Sequence, residues 1–145
     1  MRQVDISKKD IVYREASAIG RIRLSRATVN LVRTGKLEKG DPISIAETMA
    51  IMGAKLTPRV VALCHQLNIE KVEPKVTMGA DWIEVAVTVG ANGKTGVEME
   101  ALTAVSTALL NIWDVVKAHE KDPDGQYPTT LIESVRVSRK VKRKS

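Results

Sequence analysis

The sequence contains no phenylalanine, and only two Trp and two Tyr stand among its 145 residues. Its core must therefore be aliphatic, built from Val, Ile, Leu, Ala and Met. One cysteine, Cys64, rules out an internal disulfide and a cysteine-based zinc site. Two histidines, His65 and His119, rule out a three-histidine metal site. The longest stretch without charge, Ala101–Trp113, is too short for a bilayer, which takes about 20 residues. The charged start, Met1-Arg-Gln-Val-Asp-Ile-Ser-Lys-Lys, has no apolar signal segment. These absences predict a cytoplasmic protein with no membrane partner.

Acid is also missing from the C-terminal end. From Arg136 onward the chain carries Arg136, Arg139, Lys140, Lys142, Arg143 and Lys144, which equal the whole net charge of +6. The remaining body is balanced. The length suits one domain over 1–145 with a basic tail from about 136. The tail motivates one functional class, a small basic nucleic-acid-binding protein. The balanced body and the scarcity of aromatic stacking platforms weigh against it.

Residues 1–20 read as irregular, with a short strand at Ile11-Val-Tyr13, and Gly20–Leu24 alternates as a strand edge does. Ser25 is placed to cap a helix over Arg26–Thr34 that Gly35 closes. Ser44-Ile-Ala-Glu47 has capping-box spacing for a helix to about Leu56, and Thr57-Pro58 signals a second start. Leu67–Met78 and Trp82–Val89 flank Gly79-Ala-Asp81 as a hairpin, which Gly90-Ala-Asn-Gly93 ends. A long helix is expected over about Gly96–His119, with Thr95-Gly-Val-Glu98 as its capping box. A last strand is expected over Thr129–Val137. This order predicts an α+β fold, an antiparallel sheet with helices on one face.

Leu102, Val105, Leu109, Ile112 and Val116 make the core stripe of the long helix. Its other face, with Thr103, Thr107 and Asn111 flanked by Ala104 and Ala108, lacks charge, which predicts a second cover from another subunit. Glu100 and Asp114 both fall opposite the stripe, yet fourteen residues of helix separate them by roughly 21 Å. Taken singly, the polar residues have ordinary explanations. Cys64 is a small buried hydrophobe, His65 a helix-terminal cation, and Asp114 and Lys117 an i,i+3 surface pair. Lys39 and Lys55 are solvated.

The ordered set of local motifs carries more. Gly20-Arg-Ile-Arg-Leu-Ser25 is followed by Lys39-Gly-Asp41, Ala54-Lys55 and Leu63-Cys-His-Gln-Leu67. Then come Lys94-Thr-Gly-Val-Glu-Met-Glu-Ala-Leu-Thr-Ala104 and Ile112-Trp-Asp-Val-Val-Lys-Ala118. Together they resemble the cyclic pyranopterin monophosphate synthase family, from Val4 to about Lys140. Two departures stand out. Gln66 occupies a position where the family usually has Pro, and Lys140-Val-Lys-Arg-Lys144 replaces a family Gly-Gly pair between lysines.

The resemblance implies a ferredoxin-like subunit and a homohexamer built as a trimer of dimers, with active sites at the dimer interface. It implies a lyase of molybdenum cofactor biosynthesis that acts on a cyclised dihydro-GTP without a resident cofactor or metal site, though a divalent ion such as magnesium can ride on the triphosphate. It implies no nucleic-acid partner. It places Asp114, Lys117 and Lys39 in catalysis, and Leu63, Cys64, His65, Met99, Glu100, Lys55, Arg21 and Lys140 in substrate binding. Lysines gathered around one ligand would disfavour each other's charge, which suits acid–base work.

Overall fold

The computed structural model describes residues 1–144. The elements run β1 (Val12–Arg23), α1 (Arg26–Thr34), α2 (Pro42–Val60), β2 (Lys71–Met78), β3 (Trp82–Gly93), α3 (Glu98–Glu120) and β4 (Leu131–Arg143). One antiparallel sheet has the strand order β2-β3-β1-β4, and α2 and α3 pack on one face of it. This is the expected α+β fold in its ferredoxin-like form.

Strand alternation decides what meets the helices. Ile83, Val85, Val87 and Val89 of β3 are buried beneath them, and so are Ala16, Ala18 and Ile22 of β1. Glu84, Ala86 and Thr88 line the open face beside Ser17, Ile19 and Arg21. β1 is one continuous strand, where the sequence predicts an irregular segment and two fragments. Its inward residues, Ala16, Ala18 and Gly20, are too small to show apolar alternation, and pairing on both edges holds them extended. β3 likewise runs past its predicted end through Gly93, because Val12–Glu15 pairs with Gly90–Gly93. The Tyr13 ring lies over Gly90, where a Cβ would come 2.6 Å from the phenolic oxygen. The predicted tail is likewise strand. β4 continues to Arg143 at the sheet edge, through two register shifts and a left-handed Ser134.

Helix α1 begins and ends as its sequence predicts. The Ser25 hydroxyl accepts from Thr28 N at 3.1 Å, and Gly35 closes the helix at φ 69°. Helix α2 starts two residues before the expected capping box. Asp41 caps it by accepting from Ile43 N and Ser44 N, and Pro42 fills the first turn. Ser44 instead donates its hydroxyl to Asp41 at 2.7 Å. Thr57 is no new start either. Its hydroxyl donates to the Gly53 carbonyl at 2.9 Å, and α2 continues through Pro58 for its last residues. At α3 the predicted cap is absent: Val97 holds the N-cap position without a side-chain bond, and Glu98 turns to Lys140.

Helix α3 is long and apolar enough to pass for a membrane span by length and composition. Its core stripe of Val105, Leu109, Ile112 and Val116 is fully buried on the sheet, with Leu102 partly so. The cover expected from another subunit comes largely from its own chain. Ala101, Ala104 and Ala108 are fully buried on α3, and so are Ala46 and Ala50 on α2. Across this seam Gly53 meets Thr103 and Thr107. Small residues on both helices allow the close approach. A narrower strip with Met99 and Leu110 stays exposed, at 40% and 61%.

At the far end of α3 the buried Glu120 carboxylate gathers donors from three residues in two segments. They are Ser25 N and Oγ, Thr28 Oγ1 at 2.5 Å, and Thr130 Oγ1 at 2.7 Å. One side chain thus ties α3 to the cap of α1 and the approach to β4.

The α2–α3 seam generates a stability test. A Cβ on Gly53 would stand 2.8 Å from Thr107 Oγ1 and 3.0 Å from the Thr103 carbonyl oxygen. Gly53→Ala should cost about 1–3 kcal/mol by overpacking, although alanine favours the helix. Urea unfolding measures it, and an unchanged or raised midpoint would show that the seam has room.

Candidate active site

The residues expected to act gather in two places. The first is on the C-terminal half of α3. Asp114 stands exposed there, between Lys117 on the next turn and Lys39 from the loop before α2. Lys117 Nζ lies 3.1 Å from one carboxylate oxygen and Lys39 Nζ 3.1 Å from the other. Lys39 also donates to the Asp114 backbone carbonyl at 3.2 Å. The Lys117 and Lys39 contacts hold the Asp114 carboxyl below its ordinary range, so it is ionised at neutral pH. The two ammonium groups therefore confront a carboxylate between them and not each other directly. Leu110, Trp113 and Ile132 form an apolar shelf beside Asp114 and Lys117, and Tyr127 braces Trp113 edge-on with ring centroids 5.1 Å apart.

The second place is at the N-terminal end of α3. A cavity of about 330 Å³ there is lined by Leu63, Cys64, His65, Met99 and Glu100, together with Glu98. Five residues that the resemblance assigns to substrate binding thus share one pocket. Helix α3 supplies Met99 and Glu100 from its first turn, and the segment after α2 supplies the other three. Burial, with Glu98 nearby, pushes the Glu100 carboxyl up. Burial and the proximity of Glu100 likewise push the Cys64 thiol up, which makes it a poor nucleophile. Glu98 is also pushed up by its burial, but the Lys140 ammonium bonded to it prevails and its carboxyl is lowered. Lys140, from β4, is thereby tied to a residue that lines this cavity without lining it itself.

Two expected residues join neither place. Arg21 projects from the open face of the sheet, bonded to Glu84 at 2.7 Å and stacked 3.9 Å over Trp82. Lys55 stands exposed on α2, with no ion pair among the described residues. The structure also adds residues that sequence reasoning passed over. Val4, Ile6 and Lys9, in the segment read as irregular, line the same cavity. Asp5-Ile-Ser7 was the available signal for an ordered turn: Ser7 N donates to the Asp5 carboxylate at 2.8 Å. No group of three or more potential metal ligands occurs among the described residues.

The chain matches the MoaC family over residues 3–142. It is 50% identical over 142 residues to a protein of Pyrococcus abyssi named probable cyclic pyranopterin monophosphate synthase, covering 98% of this chain and 89% of that one. It is 52% identical over 141 residues to a protein of the same name from Aeropyrum pernix, covering 97% and 95%. A relative from Methanothermobacter thermautotrophicus, 48% identical over 142 residues and covering 98% and 89%, is named a probable synthase accessory protein.

The Glu100 environment has a thermodynamic consequence. A carboxyl whose folded pKa is raised favours the fold while protonated. That contribution is complete below the ordinary value of 4.5 and is lost as pH rises through the folded value. Glu100→Gln, neutral at every pH, should therefore raise the urea midpoint at pH 7.5. Its advantage should shrink towards pH 4. Equal midpoints at pH 7.5 would show that the buried carboxylate carries no penalty.

Proposed function

The chain belongs to the MoaC family, and we propose that it is a cyclic pyranopterin monophosphate synthase of molybdenum cofactor biosynthesis. It converts (8S)-3',8-cyclo-7,8-dihydroguanosine 5'-triphosphate to cyclic pyranopterin monophosphate and pyrophosphate. The observation that carries this reading is Asp114 held between Lys39 and Lys117, beside an apolar shelf. The reaction opens an aminal ring and rebuilds the pterin and pyran rings. A sugar hydroxyl oxygen then attacks the α-phosphorus, and the bond to the pyrophosphate leaving group breaks. Each step moves protons, and the last releases a polyanion.

The two clusters have opposite leanings. Asp114 is kept ionised by its lysines and serves as proton acceptor. Lys117 and Lys39 hold it in place and offer protons and positive charge to the substrate. Glu100, biased towards its protonated form, is suited to donate. Groups whose environments push their titration apart supply acid and base in one site. The family match and its relatives give a nucleic-acid function no support. We place the reaction in the cytoplasm.

One chain does not bring the clusters together. Glu100 and Asp114 lie roughly 21 Å apart along a single straight helix. We propose that the strip exposing Met99 and Leu110 packs against its copy in antiparallel fashion, bringing Glu100 of one protomer to Asp114 and Lys117 of the other. Such dimers assemble into a homohexamer as a trimer of dimers.

Two experiments test this. Purified protein should release pyrophosphate from the cyclised dihydro-GTP without a redox cofactor, and Asp114→Asn should slow the release by about 10²–10⁴-fold. Background release by the wild type would remove the activity. For the shared site, Glu100→Ala and Asp114→Ala should each be nearly inactive. Mixed equally after dissociation, they should recover roughly a quarter of wild-type activity, because about half of random dimers carry one intact site. Confirmed subunit exchange without recovery would place each site within one chain.

A further inference from the structure

The first ten residues contain no helix or strand, yet they are fastened to the body at three points. Gln3 Nε2 donates to the Cys64 carbonyl at 2.7 Å. The Val4 carbonyl lies 2.7 Å from His65 Nε2. Lys94 Nζ donates to the Ser7 carbonyl at 3.2 Å. Within the segment, Ser7 N bonds the Asp5 carboxylate and Lys9 N bonds the Ile6 carbonyl at 3.0 Å, which turns the chain. The result is a strap laid over the loop Cys64–His65. Val4, Ile6 and Lys9 form the wall of the 330 Å³ cavity that faces Glu100.

The charge lining that cavity is poorly suited to a polyanion without the strap. Glu98 and Glu100 both contribute carboxyls, and Lys140 is neutralised by Glu98. Lys9 is the one lysine or arginine lining the cavity among the described residues, and it makes no ion pair among them. A triphosphate carries about four negative charges at neutral pH, and charge-assisted hydrogen bonds from ammonium groups are the strong way to hold it.

We propose that the strap Gln3–Lys9 is part of the substrate pocket and that Lys9 is a further substrate-binding residue, giving its ammonium to the phosphate chain. The assignment rests on the triphosphate substrate proposed above. The hydrogen bonds to Cys64, His65 and Lys94 position it. The backbone bond at His65 Nε2 sets that ring's orientation towards the pocket, so the same strap that delivers the cation also fixes a neighbouring side chain.

The test is a set of full-length variants at Lys9, assayed by steady-state pyrophosphate release. Lys9→Gln should raise KM about tenfold and leave kcat within about twofold, since it removes binding and no proton transfer. Lys9→Arg should restore KM to within about threefold of wild type. The KM of Lys9→Gln should also respond less steeply to added salt. An unchanged KM in Lys9→Gln overturns the proposal, and so does a fall in kcat that Lys9→Arg does not repair. Binding of inorganic triphosphate, followed by calorimetry, separates this idea from the proposed activity because it needs no turnover. If the wild type releases no pyrophosphate, that activity is lost. A weaker triphosphate affinity in Lys9→Gln still supports the cation's role, and equal affinities overturn it.

Discussion

Helix α3 can pack closely against both the sheet and its neighbour α2 only because the residues that meet it are small. Ala101, Ala104 and Ala108 face Ala46, Ala50 and Gly53 on one side. On the other, Gly20 lets Val105 and Leu109 down onto β1, where a Cβ would stand 2.9 Å from each. A core without phenylalanine makes up in closeness what it lacks in side-chain volume, because dispersion depends on contact at van der Waals distance. Both clusters hang from this helix. Its first turn presents Met99 and Glu100 to the cavity, and its later turns present Asp114 and Lys117 to the loop carrying Lys39. The angle of α3 therefore sets both, and the Glu120 bonds to Ser25, Thr28 and Thr130 secure its far end.

Burial does different work at the two ends. At Asp114 the groups are exposed, and the ionised state comes from two lysines within hydrogen-bonding distance. Solvent screens such contacts, so they contribute little to the stability of the fold. At Glu100 the carboxyl is 3% exposed, and desolvation opposes its charge. A carboxyl kept there at a cost to stability is hard to explain as packing, since a neutral residue of the same shape would serve the fold better. The neighbouring Glu98 shows the alternative outcome, in which the Lys140 ammonium offsets the same desolvation.

The strand carrying Lys140 shows how a compositional feature changes meaning in three dimensions. Six basic residues without acid read as a solvated tail. Five of them, Arg136 to Arg143, stand in an edge strand, where like charges discourage pairing with a stray chain, and the left-handed Ser134 interrupts the ladder in the same sense. Among the described residues, Lys140 alone of the six forms an ion pair, with the partly buried Glu98. Its position opposite Ala16 on β1 puts it there, and no spacing in the chain announces that partner.

Local chemistry settled what lies within one turn or one hairpin. The cap and close of α1 by Ser25 and Gly35, the hairpin across Gly79–Asp81, and the stripe on α3 all act over a few residues, so the sequence alone determined them. It also determined the family, through motifs in order, and with them the residues that form the two clusters. Contacts between distant segments were decided by tertiary structure. Asp41 outcompeted the Ser44 box because Pro42 begins the helix earlier, and Glu98 left the cap it was spaced for because β4 brought it an ammonium. Pairing on both edges extended β1 through alanines that carry no periodic signal. The cover over α3, assigned in sequence to another subunit, came mostly from α2, whose small residues match its own. The strap over His65 depends on bonds spanning 61 and 87 residues, a separation at which periodicity and capping rules have nothing to say. Such contacts exist only once the chain has closed on itself, because their energy comes from groups that sequence proximity never brings together.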